Sequence, residues 1–211
     1  MNNMRLPNKW SEVTLKQYKE IMEVSLIDMD EIDKQIKIIS ILTEQPEDRI
    51  ADMPLPAIKS CIKWCNFIYT VPDREKINSK IKIGNRRYKV NLFINELSGG
   101  EYIDLNTYTK DKETINSNLN YILSIFLHPI NIFGLRSKEN YTKNAKGKYC
   151  QTLESRNETA KYIEDKITMD LVFNLSGFFL NLYEKLMNVT IDYSITQVNE
   201  MNRNIAQELG L

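Results

Sequence analysis

One segment of the 211-residue chain, residues 80–92, limits the possible folds because its apolar residues occupy alternate positions. Elsewhere the apolar residues recur every three or four positions. A period of two is typical of a β-strand with one buried face, and Gly84-Asn85 is a turn signal in the middle of the segment. The sequence therefore predicts a β-hairpin near residues 80–92. The apolar residues of this hairpin are Ile81, Ile83, Tyr88 and Val90.

The length of the turn decides which residues of the hairpin face each other. A two-residue turn would pair Ile83 with Arg86. A four-residue turn would pair Ile83 with Tyr88, and it would also bring Ile81 opposite Val90. We favour the four-residue turn because it matches apolar residues with apolar residues. Two strands alone are only marginally stable, so the hairpin must pack on helices or join a sheet from another chain.

The rest of the chain is predicted to be helical. Capping boxes, in which a hydroxyl residue is followed three positions later by Glu or Gln, begin at Thr14 and Ser98. We predict a mainly α fold, a single helical domain over residues 1–211 with an inserted hairpin. Residues 130–150 form a long basic loop in this prediction, and the polar helix 195–209 is peripheral. Helices are predicted at about residues 14–25, 32–42, 46–50, 58–69, 99–108, 116–127, 152–166, 168–188 and 195–209.

Charge and composition exclude several classes of protein. Lys and Arg together number 28, and so do Asp and Glu, so no global charge attracts nucleic acid. The first residues lack the apolar core of a signal peptide, and the longest apolar stretch is too short and too polar to span a bilayer. The three cysteines have no disulfide-scaffold spacing, which indicates a reducing compartment.

The single histidine, His128, limits the catalytic chemistry that this chain can carry. Cys150 is the nearest thiol in sequence, but no nucleophile motif surrounds either residue. Cys61 and Cys65 fall on the same face of a predicted helix, where two thiolates could share a metal ion. A closed zinc site needs four ligands, and no second pair exists. We therefore favour a structural histidine and ordinary core thiols.

Two further groups have the appearance of binding sites. Asp28, Asp30 and Asp33 resemble the start of a calcium loop, but the sixth-position glycine and twelfth-position glutamate are missing. Acidic residues at a helix start are explained by the helix dipole. Ser98, followed by two glycines, could hold an anion, although a flexible helix entry is favoured. We predict no enzymatic activity, no cofactor and no bound metal.

A basic segment, residues 136–148, is the best candidate for nucleic-acid contact. It has Tyr141 and Tyr149 interleaved with its cations, which suits phosphate contacts combined with base stacking. An ordinary solvated loop is the favoured interpretation. An aromatic group, Phe178-Phe179 with Tyr183, suits either an interface or plain core, and we favour core. The candidate nucleic-acid contacts are Arg136, Lys143, Lys146 and Lys148.

The order of these signals resembles a known class. A tryptophan precedes T-L-x-Q-Y, and then come I-I-S-I-L-T and a helix ending F-I-Y-T-V-P. These are followed by I-x-I-x-x-x-x-Y-x-V and then by L-S-G-G-E-Y-I-D-L. After them come an apolar helix ending in proline, a basic loop and, late in the chain, F-F. From Trp10 to Tyr183 the chain resembles small virion or assembly proteins of tailed bacteriophages, notably crAss-like phages. The resemblance carries over no catalytic residues.

This resemblance implies a structural subunit of a neck or tail ring (a connector), present in the virion and in the host cytoplasm before assembly. Its partners would be copies of itself and other phage structural proteins, with no membrane. One alternative is a tail-assembly chaperone that leaves the mature particle, and a second is a nucleic-acid-binding protein that uses residues 136–148. The candidate interface residues, from the hairpin and the C-terminal helix, are Ile81, Ile83, Tyr88, Val90, Ile195, Val198 and Ile205.

Overall fold

The computed structural model describes residues 4–70, 77–91, 97–110, 114–131, 133–135, 141–143 and 149–176. By its contacts the chain divides into two units, residues 1–174 and 175–211. The single domain predicted over residues 1–211 stays a prediction. The predicted C-terminal helix, residues 195–209, and the aromatic group near residue 178 lie outside the described residues.

The described part is mostly helical, with a small antiparallel sheet, which confirms the predicted fold class. Short 3-10 helices cover Trp10–Glu12 and Asn66–Tyr69, and residues 169–176 are helical. The α-helices are α1 Leu15–Leu26, α2 Glu31–Thr43, α3 Glu47–Ala51, α4 Leu55–Trp64, α5 Gly99–Thr109, α6 Leu119–Phe126 and α7 Leu153–Lys166.

Both predicted capping boxes are present. The Thr14 hydroxyl accepts a hydrogen bond from the Gln17 amide at 3.3 Å, and the Gln17 side chain accepts one from the Thr14 amide at 3.0 Å. The Ser98 hydroxyl accepts from the Glu101 amide at 3.3 Å, and the Glu101 carboxylate accepts from the Ser98 amide at 2.7 Å. Each box satisfies two amide groups that have no partner within the helix.

The helices pack through an aromatic group around Trp10 and through a mainly aliphatic cluster formed by α2, α3 and α4. Trp10 folds back on α1, with its ring in edge contact with Tyr18 at 6.0 Å, and it also meets Phe173 at 5.2 Å. Met22 is 37% exposed, and the buried side of α1 runs through Ile21 and Val24 instead. The α2–α4 cluster contains Ile39, Ile50, Ile58 and Cys61.

The two ends of this unit are joined by backbone hydrogen bonds. The Leu15 amide donates to the Ile167 carbonyl at 3.0 Å, and the Met169 amide donates to the Val13 carbonyl at 2.8 Å. These bonds form a β-bridge between Thr14 and Thr168. Side chains on both sides of the bridge are fully buried, so the start of α1 and the end of α7 share one core.

The hairpin consists of β1, Lys80–Ile83, and β2, Arg86–Val90. Ile83 lies opposite Arg86, and Ile81 lies opposite Tyr88. The predicted four-residue turn is therefore wrong, and the turn has two residues. Gly84 has φ +56° while Asn85 has no positive φ, which is the pattern of a type II′ turn. The backbone twist of a type II′ turn matches the right-handed twist of the two strands, which favours this short turn.

Contacts with α7 explain why Arg86 lies opposite an isoleucine. The Arg86 guanidinium stacks over the Tyr162 ring, 4.2 Å from its centroid, and forms an ion pair with Glu158 at 2.8 Å. The Tyr162 hydroxyl accepts from the Asn85 amide at 3.1 Å and lies 2.5 Å from Asn85 Oδ1. Cation–π contact and hydrogen bonding to α7 replace the apolar match across the strands.

A third strand, β3 (Leu127–Ile130), pairs antiparallel with β2, in the order β1-β2-β3. Leu127 was predicted to be helical and Ile130 to begin a loop, and both predictions are wrong. The chain passes straight from α6 into β3, and Pro129 is tolerated because β3 is an edge strand of this sheet. The hairpin is therefore part of a sheet formed within its own chain.

The predicted loop 130–150 also contains structure. Strand β4, Tyr141–Lys143, pairs antiparallel with β5, Tyr149–Gln151, and Lys143 lies opposite Tyr149. Short strands flanked by polar residues have weak alternation, so the sequence pattern did not separate them from a loop. Strand β5 leads directly into the cap of α7 at Thr152, whose hydroxyl accepts from the Ser155 amide at 3.1 Å.

Candidate functional site

Four cations lie on one face of the three-stranded sheet. Alternation along each strand turns these side chains away from the core, and all four are exposed. Lys80 lies opposite Lys89, and Lys82 lies opposite Arg87. Strands β1, β2 and β3 contain no acidic residue. We call this surface, formed by Lys80, Lys82, Arg87 and Lys89, the cationic sheet face.

Ion pairing elsewhere shows how unusual this concentration of charge is. On the opposite side of the sheet Arg86 pairs with Glu158, and in the interior Arg156 pairs with Asp104 at 2.6 Å. Within the described residues, none of the three lysines of the cationic sheet face takes part in an ion pair. A ligand with several negative charges suits such a concentration of lysines.

A cavity of about 370 Å³ opens beside the cationic sheet face. One wall is formed by strands β1 and β2, and the other by the turn that follows β3. Among the described residues that line it are cations, an amide and an aromatic ring but no acidic residue. Its lining residues are Lys80, Ile81, Lys82, Arg87, Ile130, Asn131, Phe133 and Gly134.

The turn at residues 131–135 carries an aromatic ring that is exposed to solvent. The Asn131 side-chain oxygen accepts from the amides of Phe133 and Leu135 at 3.0 and 2.9 Å, and the Gly134 amide donates to the Asn131 carbonyl at 2.9 Å. Gly134 has φ +77°, and an added Cβ there would lie 3.1 Å from Lys80 Nζ. Phe133 is nonetheless 80% exposed. These hydrogen bonds order the backbone of the turn, which places the exposed Phe133 ring beside the cations.

The predicted interface residues of the hairpin lie mostly in the protein core. Ile83, Tyr88 and Val90 are buried, and Ile81 is half-buried. Their side chains pack within this chain, so a hairpin contact with another subunit would use the backbone edge of β1 or the exposed face of the hairpin. The other predicted interface residues, Ile195, Val198 and Ile205, lie outside the described residues.

The predicted nucleic-acid contacts are described only in part. Lys143 belongs to β4, while Arg136, Lys146 and Lys148 lie outside the described residues. The cationic sheet face was not predicted. Its lysines are the polar half of the alternating pattern in the hairpin, but β3 and the turn at residues 131–135 come much later in the sequence and have to meet the hairpin before one surface forms.

His128 and the two thiols considered for a metal site, Cys61 and Cys65, are buried. His128 lies in β3, with its Nε2 atom 3.2 Å from the Ile125 carbonyl. Cys61 and Cys65 are buried free thiols. Within the ranges that the structure describes, no group of three or more His, Cys, Asp or Glu residues is placed to hold a metal ion. Burial raises the pKa of Cys65 to about 11, with a smaller contribution from Cys61.

We expect these two thiols to react slowly with iodoacetamide in the folded protein. Burial raises the pKa of both, so near neutral pH the reactive thiolate is scarce as well as inaccessible. In a Cys150→Ser background, labelling followed by mass spectrometry at about pH 8 should be about 100-fold slower than in denaturant. Rapid labelling of native protein at either position would contradict this burial.

Among the residues that the structure describes, no helix has the length and apolar character needed to cross a membrane. The chain matches no protein-family model, no curated protein and no solved structure.

Proposed function

We propose that this chain is a structural subunit of a tailed-phage particle, a component of a neck or tail ring that acts through contacts between proteins. The order of motifs from Trp10 to Tyr183 motivates the proposal. One structural observation supports it most directly, namely that large apolar side chains are exposed on separate elements of the described surface.

The first group lies at the end of α1. Leu26 is 84% exposed, and Met22 one turn earlier and Ile27 next to it are also exposed. The second group lies at the end of α4 and in the 3-10 helix after it, where Trp64 and Tyr69 are exposed. Head-to-tail assembly into a ring needs two different surfaces that match each other. Two apolar groups on different elements meet that requirement, and aromatic residues dominate the energetics of such contacts.

The free edge of β1 is a third possible contact. Within the described residues β1 pairs only with β2, and its other edge has no strand partner among them. Lys80 and Lys82 flank this edge, and the strand has four residues. Short, lysine-bearing edges resist uncontrolled pairing, so this edge suits a specific neighbour better than open-ended polymerisation.

Mass spectrometry of purified particles tests the proposal. We expect the protein in mature virions at several copies per particle. Leu26→Glu places a charge in the proposed contact and should reduce incorporation at least about tenfold, the effect of losing roughly 1.4 kcal/mol of contact energy. Leu153→Glu, a change at another exposed leucine, is the matched control and should be incorporated normally.

Absence of the protein from purified virions would overturn the structural role. If it were then found bound to tail proteins in infected cells, the assembly-chaperone alternative would replace it. Equal incorporation of the two glutamate variants would remove Leu26 from the interface.

A further inference from the structure

We propose that the cationic sheet face and the turn at residues 131–135 together form a binding site for single-stranded nucleic acid. This site uses residues distinct from the apolar groups proposed for assembly, and it does not depend on that role. The inference rests on the placement of four cations, one cavity and one exposed aromatic ring on the same side of the sheet.

The spacing of the cations suits a chain of phosphates. Lys80 and Lys82 are two residues apart on one strand, about 7 Å, and each faces a cation on β2 about 5 Å away. The chain as a whole has zero formal net charge, so these cations create a local field and not a general affinity for anions. Successive phosphates of a nucleic-acid strand are the repeating charges that such a row binds, with release of counterions.

The aromatic ring favours a single strand over a duplex. Phe133 stands exposed at the rim of the cavity, held by hydrogen bonds from the backbone to Asn131. Unpaired bases stack on such rings, whereas the bases of a duplex are already stacked on one another. The cavity of about 370 Å³ is large enough to receive a base or sugar beside the phosphates.

The same features argue against an acidic peptide as the occupant. A peptide carboxylate would engage the cations, but an acidic peptide offers a flat ring to Phe133 only where it carries an aromatic side chain, whereas every nucleotide carries a base. A strand of nucleic acid uses the cations and the ring at the same time, and it does so without sequence preference because every base has a flat face. DNA and RNA strands share this chemistry.

Fluorescence anisotropy with labelled oligonucleotides tests the site on the full chain. We expect single-stranded DNA and RNA of roughly 20 nucleotides to bind more tightly than a duplex of the same length, with affinity that falls as salt rises. The Lys80→Gln, Lys82→Gln double variant should lower the slope of log affinity against log salt by about 1.4, because each lost phosphate contact accounts for about 0.7.

A second variant separates stacking from charge. Phe133→Ala should weaken binding about 5- to 150-fold while leaving the salt slope unchanged, because a stacked base is lost and no phosphate contact is. The matched controls are Lys59→Gln with Lys63→Gln, two exposed lysines on α4, and Leu135→Ala on the same turn. These controls should bind like the parent protein, and circular dichroism should show that every variant is folded.

Three results would overturn the inference. One is tighter binding to the duplex than to the single strand. Another is an unchanged salt slope in the Lys80, Lys82 double variant. The third is loss of binding when Lys146 and Lys148 are changed to Gln, together with normal binding by the sheet variants, which would assign the site to the basic segment.

Discussion

Replacing Gly84 by alanine is expected to lower the free energy of unfolding by about 2–4 kcal/mol. Gly84 has φ +56°, and its missing Cβ would lie 2.5 Å from the Tyr162 hydroxyl oxygen and 3.5 Å from Lys166 Cβ. The left-handed backbone costs a side chain about 1–2 kcal/mol, and displacing the hydrogen-bonded Tyr162 hydroxyl adds the rest. Urea unfolding followed by circular dichroism measures the loss.

Tyr162→Phe isolates the two causes. Without the hydroxyl the nearest contact is relieved, so Gly84→Ala should cost only about 1–2 kcal/mol in that background, the strain of the turn alone. Gly99→Ala is the control, because its Cβ would meet nothing within 4 Å and Gly99 begins a helix. That change should be neutral or slightly stabilising. Strictly additive losses in the double variant would contradict a collision between the turn and Tyr162.

Ile163→Ala is expected to destabilise the protein by about 2–5 kcal/mol. Ile163 is fully buried on α7, and α7 packs against both α6 and α1. Truncation leaves a cavity that tightly packed neighbours fill only in part. Thermal and urea unfolding should both report the loss, with an unchanged dependence on urea concentration.

The same change at Ile103 is the matched control. Ile103 lies on α5 and is 64% exposed, so Ile103→Ala should alter stability by no more than about 0.5 kcal/mol. A comparable loss at both positions would show that Ile103 is covered in solution, by a second copy or by another part of the chain.

The helices could be predicted from sequence because their signals are local. The boxes at Thr14 and Ser98 each close within four residues. The three- to four-residue spacing of apolar positions is likewise readable within each helix segment alone. The fold class follows from those signals alone. Which side chain is buried at a helix end, as at Met22, depends on the neighbour and is not encoded in the period.

The register of the hairpin could not be predicted in the same way. Both possible turns place the same apolar residues on the core side, since the registers differ by two residues. The choice is made by Arg86, whose partners Glu158 and Tyr162 come from a helix much later in the sequence. Strand β3 has a similar cause, because its pairing with β2 and not its own composition makes Leu127–Ile130 a strand.

The cationic sheet face depends partly on local sequence pattern and partly on tertiary contacts. The alternation that turns Lys80 and Lys82 outward is readable in the sequence, but their neighbours across the sheet depend on the turn length that the sequence left ambiguous. The position of Phe133 beside them depends on β3 and on a side-chain hydrogen-bonding pattern at Asn131. A site of this kind is formed by tertiary contacts between individually unremarkable segments.

The bridge between Thr14 and Thr168 has a consequence for the order of folding. Its two sides are separated by most of the described chain, so closing it carries a large loss of chain entropy that only late contacts offset. During synthesis, at about 5–20 residues per second, the start of α1 waits for residues 167–169 to leave the ribosome. Until then the buried faces of Val13 and Leu15 have no partner on this side, and the nascent chain is exposed to aggregation for several seconds.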